Sequence, residues 1–74
     1  MNVNERMGIA LARARDAAGA STAGREFFTL AQSVAAEIRE MQRAGAGFHA
    51  IERKARELER VARRAERCAR PARR

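Results

Sequence analysis

The chain has 74 residues, 16 of them Lys or Arg and 9 Asp or Glu, giving a formal net charge of +7 at pH 7. Hydrophobic residues make up 46%, but Ala supplies much of that share, and three Phe stand without any Trp or Tyr. A chain this short buries only about 60% of the surface its unfolded form exposes, so residues 1–74 make one small domain with a thin core. Long helices, a partner or a second copy must add stability. A solitary globular enzyme is nearly excluded.

The lone Cys68 cannot form an internal disulfide or a cysteine-based zinc site, which suits a reducing compartment and leads us to expect the cytoplasm. Residues 1–20 include Glu5, Arg6, Arg13, Arg15 and Asp16, so they lack the apolar run of a secretion signal. No stretch approaches the roughly 18–20 apolar residues a membrane span requires.

Helix formers dominate, Pro71 is the only proline, and β-branched residues are too scattered to alternate as strands do. The expected fold is therefore all-α. Two glycine-containing breaks, Gly19 to Gly24 and Ala44-Gly45-Ala46-Gly47, divide it into three helices.

The first helix is expected at about residues 5–18. Asn2 and Glu5 have capping-box spacing, and Gly19 is a plausible stop. Its stripe of Val3, Met7, Leu11, Ala14 and Ala18 is weak, because Gly8 interrupts it and Ile9 falls off the face. This predicts a short, mobile helix that docks on the others. The second helix, about 22–43 and capped by Ser21 or Thr22, aligns Phe27, Ala31, Val34, Ile38 and Met41. The third, about 47–70, carries Phe48, Ile51, Ala55, Leu58, Ala62, Ala65 and Ala69 at alternating spacings of three and four, a coiled-coil period. Pro71 stops it, leaving residues 71–74 as a frayed basic tail.

A short connection makes the second and third helices an antiparallel hairpin. Folding about Gly45 sets Met41 against Ile51, Ile38 against Ala55, Val34 against Leu58, Ala31 against Ala62 and Phe27 against Ala65, ending with Gly24 opposite Ala69. Phe28, Leu30, Val61 and Cys68 form a second strip that the first helix or another copy could cover. Either a three-helix packing or a homodimer of the four-helix type follows. The sequence alone favours the dimer.

Charge is uneven. Residues 1–47 hold six basic and five acidic groups, while residues 48–74 hold ten and four. Arg53, Arg56, Arg60, Arg63, Arg67, Arg70 and Arg74 again alternate by three and four, opposite the apolar seam, as a stripe about 30 Å long at 1.5 Å per residue. Guanidinium groups bind phosphate oxygens bidentately and release condensed counterions, so this stripe could track a nucleic-acid backbone. Lys54, Arg64 and Arg73 add to the field. Against that stands a plainer reading: Glu52, Glu59 and Glu66 precede Arg56, Arg63 and Arg70 by four residues, so these pairs could merely stabilise a solvated helix. On that count Arg53, Arg60, Arg67 and Arg64 stay unpaired.

Other chemistries find less support. Residues 38–51 loosely resemble a helix-turn-helix, but the helix after the glycine turn is too long for that motif. With no aromatic residue among the arginines, stacking on unpaired bases lacks a platform. The stretch Gly19-Ala20-Ser21-Thr22-Ala23-Gly24-Arg25-Glu26 has P-loop glycine spacing without the Lys, the Ser or Thr after it, or a preceding strand. His49, the only histidine, has no ligand cluster around it in sequence, and Cys68 between arginines lacks a base. Glu37 and Glu40 are expected to pair with arginines such as Arg43. An amphipathic basic helix could lie on an anionic membrane, but its apolar side is alanine-rich.

The sequence thus points to a small non-catalytic binding or regulatory protein with no cofactor, no metal and no small-molecule substrate. Its expected partner is nucleic acid, held mainly without base specificity through Arg53, Arg56, Arg60, Arg63, Arg64, Arg67 and Arg70. The alternative is a protein-interaction module, such as an adaptor or inhibitor encoded by a phage or mobile element, that binds an acidic surface of a larger protein. Helix packing or an oligomer interface is assigned to Phe27, Phe28, Leu30, Val34, Ile38, Met41, Phe48, Ile51, Leu58 and Val61.

Overall fold

The structure is a computed structural model that describes residues 2–69. Three helices, α1 (Val3–Ala18), α2 (Thr22–Arg43) and α3 (Phe48–Ala69), each pack against the other two in a rod 47 × 19 × 15 Å. The chain forms an all-α three-helix bundle. No helix among the described residues is long and apolar enough to cross a membrane.

Local chemistry sets the helix ends. Asn2 caps α1 through a reciprocal box: its side chain accepts from the Glu5 backbone N–H at 2.8 Å, and its own N–H donates to the Glu5 carboxylate at 3.0 Å. With Asn2 as the cap the helix begins at Val3, two residues earlier than expected. Ser21 caps α2 by accepting from Gly24 N–H at 2.9 Å. The α2 end is a Schellman turn, in which Ala46 N–H reaches Met41 O at 2.9 Å and Gly45 N–H reaches Gln42 O at 3.2 Å. Gly45 takes φ +76° there, a left-handed conformation that costs any other L-residue about 1–2 kcal/mol. This turn reverses the chain and makes α3 antiparallel to α2.

Eight of the thirteen buried hydrophobic residues are alanines, and only Ile38 and Leu58 are large and fully enclosed. Small side chains let the helices approach closely, so many short contacts replace a few bulky ones. The expected seam is largely present: Ala31, Val34, Ile38, Ala55, Leu58, Ala62 and Ala65 are buried, with Phe27, Met41, Ile51 and Ala69 half-buried. A Lys54–Glu37 ion pair of 2.6 Å adjoins the expected Ile38–Ala55 level.

Three expectations are revised. The α1 helix docks on the others, as the three-helix packing expects, but through Met7, Ala10, Ala14 and Ala17, while Val3, Leu11 and Ala18 of the expected stripe are only half-buried. Gly24, expected opposite Ala69, instead lies against Ala17 of α1, where a Cβ would come within 2.4 Å of the Ala17 carbonyl oxygen. Phe48, expected in the seam, is 69% exposed: as the first residue of α3 it borders a hollow with Gln42 of the last α2 turn, Glu52 and the start of α1 instead of entering the seam. The second strip also divides. Val61 is buried and Phe28 half-buried against the core, while Leu30 is 46% exposed and Cys68 is exposed. Residues 38–51 do not form a helix-turn-helix elbow, since α2 and α3 stay packed beyond the turn as antiparallel neighbours.

Candidate nucleic-acid interface

Around α3, residue types sort by direction. The core side carries Ala55, Leu58, Ala62 and Ala65. The edge toward α1 carries Glu52, Glu59 and Glu66, and the edge toward α2 carries Lys54 and Glu57. The remaining outward arc, roughly 100° wide at 3.6 residues per turn, contains Arg53, Arg56, Arg60, Arg63, Arg64 and Arg67. All six are exposed. From Arg53 to Arg67 the ridge runs about 21 Å at 1.5 Å per residue. Arg70, Arg73 and Arg74 lie outside the described residues.

The glutamates of α3 reach across to α1 as well as along their own helix. Arg6 of α1 takes two of them at once: its Nη1 meets Glu52 Oε1 at 2.7 Å, while its Nε and Nη2 hold both Glu59 oxygens at 2.9 Å. Arg13, seven residues on, reaches Glu66 at 3.4 Å. Both Arg6–Glu59 and Arg13–Glu66 span 53 positions, so α1 and α3 run parallel in register, arginines of one facing glutamates of the other.

This clamp is the stronger use of those carboxylates. Arg6, Glu52 and Glu59 are 19%, 22% and 31% exposed, and charge-assisted bidentate bonds gain as water is partly excluded. A solvated i,i+4 pair is worth only about 0.3–0.5 kcal/mol. The bonds to Arg6 hold the Glu59 and Glu52 carboxyls below their ordinary range, and hydrogen bonds to Glu59 and then Glu52 raise the Arg6 guanidinium. Hydrogen bonds to Glu37 and Glu57 raise the Lys54 ammonium.

The ridge is therefore left more cationic than sequence counting implied. Of the two expected pairs that lie within the described residues, Glu52–Arg56 forms, at 3.2 Å and shared with Arg6. Glu59–Arg63 is displaced by Arg6, and Glu66–Arg70 falls outside the described residues. Among the described residues, no carboxylate lies within ion-pair distance of Arg53, Arg60, Arg63, Arg64 or Arg67. Arg43 pairs with Glu40 as expected, whereas Glu37 goes to Lys54.

Sequence reasoning gave Arg6 and Arg13 no role. Their spacing of seven, matched to the sevenfold spacing of Glu52, Glu59 and Glu66, is the signal that would have found the clamp. Beside the ridge, a groove between α2 and α3 is lined by Phe27, Leu30 and Val61 together with Glu57, Arg60 and Arg64. At the start of α3, Phe48 contacts His49 edge to face, ring centroids 5.8 Å apart.

No family model, curated protein or solved structure matches the chain. Its function must be argued from this surface alone.

Proposed function

We propose that the protein binds the phosphate backbone of nucleic acid through the outward ridge of α3, mainly without base specificity. The observation that carries this reading is the diversion of Glu52, Glu59 and Glu66 toward Arg6 and Arg13 on α1. Glu59, which could have quenched Arg63, is held to one side by Arg6, and Arg63 is exposed together with Arg53, Arg60, Arg64 and Arg67, while Glu52 is shared between Arg6 and Arg56. Each guanidinium can replace a condensed counterion along a phosphate chain, so affinity falls with salt in proportion to the contacts made.

Titrating labelled duplex and single strand with purified protein at several salt concentrations tests this. Binding with a log–log salt slope of about −4 to −5, for five or six contacts at 0.7–0.9 each, is the expected result. Affinity weaker than millimolar at low salt would sink the reading.

The groove beside the ridge favours a second reading, a module that docks an acidic protein segment with apolar anchors on Phe27, Leu30 and Val61. A pulldown separates the two: a nuclease-resistant protein partner supports the module, while a nuclease-released complex supports backbone binding.

A further inference from the structure

Phe48 is the one large hydrophobic side chain that the hairpin seam was expected to enclose and did not. At 69% it is the most exposed large hydrophobic residue among the described residues. The ring borders an open hollow shared with Arg6 at the start of α1, Gln42 in the last turn of α2 and Glu52.

Its position relative to the ridge is informative. The spacing His49, Arg53, Arg56, Arg60, Arg63, Arg67 continues the alternation of four and three without a break, so His49 is the first member of the arginine stripe. Phe48 is held edge-on to it at 5.8 Å, with the planes 66° apart. His49 thus stands at one end of the cationic track, about 6 and 10 Å along the helix axis from Arg53 and Arg56, with the Phe48 ring beside it on the edge toward α1, where it borders a hollow with Arg6 and Glu52.

Proteins that hold unpaired strands combine these two elements, a positive track for phosphates and a flat ring for bases. A duplex keeps its bases stacked inside and has nothing to offer the rings. An unpaired strand can lay one base on Phe48 or His49 while its phosphates follow the arginines. We infer that the Phe48–His49 pair is a base-stacking platform, and that the ridge prefers single-stranded nucleic acid, with an unpaired base seated at the α3 N-terminus.

This rests on the backbone-binding reading above, and the test separates the two. Three probes of equal length are compared: a deoxythymidine strand, an abasic strand with the same phosphates, and a duplex. The wild type is expected to bind the thymidine strand about tenfold or more tighter than the abasic strand, since one stacked base contributes on the order of 1–3 kcal/mol and 1.4 kcal/mol is tenfold. Phe48→Ala and Phe48→Leu should both erase most of that difference and leave abasic binding and its salt slope unchanged. Loss in Phe48→Leu as well as Phe48→Ala distinguishes a flat ring from mere greasiness.

Phe48→Trp should retain the preference and, as the only Trp in the chain, should be quenched by the thymidine strand but not by the abasic strand. Because position 48 is exposed, these variants keep the fold, and far-ultraviolet circular dichroism verifies it. Equal wild-type affinity for thymidine and abasic strands would overturn the platform and leave backbone binding standing. No binding to any probe would overturn both.

Discussion

The two long edges of α3 carry arginine chemistry to opposite ends. At the α1 edge, Arg6 and Arg13 are consumed by glutamates, and Arg6 is only 19% exposed. On the outward ridge, five of the six arginines meet no carboxylate among the described residues. The same side chain is a fastener in one place and an available cation in the other. What differs is the helix that supplies it: Arg6, on a neighbouring parallel helix, holds both oxygens of Glu59 in a partly shielded groove, while on the glutamates' own helix Arg56 makes a single 3.2 Å contact to Glu52 from a largely exposed position. Docking α1 therefore does more than complete the core. It sets the charge of the surface α3 presents.

The largest expected effect separates the two arginine sets directly. Changing Arg53, Arg60 and Arg67 together to Gln should lower the salt slope of nucleic-acid binding by about three. At 0.1 M salt this corresponds to roughly several hundredfold in affinity, at about 0.9 per contact. Changing Arg13 to Gln should leave the slope within experimental error. If the slope moves equally for both, the edges are not distinct.

Next is Gly24→Ala. A Cβ there meets the Ala17 backbone at 2.4 and 2.9 Å, so α1 and α2 must move apart. The cost should be about 3 kcal/mol, a Tm lower by roughly 12–24 °C for a chain of this size. As α1 loosens, Glu59 is released to Arg63, and nucleic-acid affinity measured below the melting range should fall. Unchanged affinity with a lowered Tm would show that the clamp does not set the ridge.

A smaller effect is expected from pH. Glu52 and Glu59 titrate below their ordinary value of 4.5 in the folded chain because of Arg6. Their contribution to stability is complete above the unfolded value and is lost as pH falls through the depressed folded values. Tm should hold steady from pH 7 to about 5.5 and decline through the carboxylate range. Arg6→Met should flatten that decline, and an unaltered acid profile in this variant would remove the clamp from the account. Smallest of all, Gly45→Ala should cost about 1–2 kcal/mol through its φ of +76°, leaving the salt slope unchanged.

Much of this molecule was legible in the sequence because its signals are local. The Asn2 capping box, the α2 limits at residues 22 and 43, the glycine reversal at Gly45 and the three-four period of the arginines depend on residues within about two turns of one another. The same local rule misplaced Glu59 of α3, because i,i+4 spacing knows only one helix and Arg6 lies more than forty residues away. It misplaced Phe48 too, since periodicity assigns a face but not whether anything stands opposite that face at the end of a bundle.

The sequence by itself determined three helices, their order and the cationic side of the last one. Only the tertiary structure decided that α1 occupies the third position of the bundle, which carboxylates remain available to the ridge, and which Phe reaches solvent. The physical reason is range: helix caps, turns and periodic faces are set within a few residues by backbone geometry. Competition between partners for one carboxylate is settled only after distant segments meet and water is partly excluded between them.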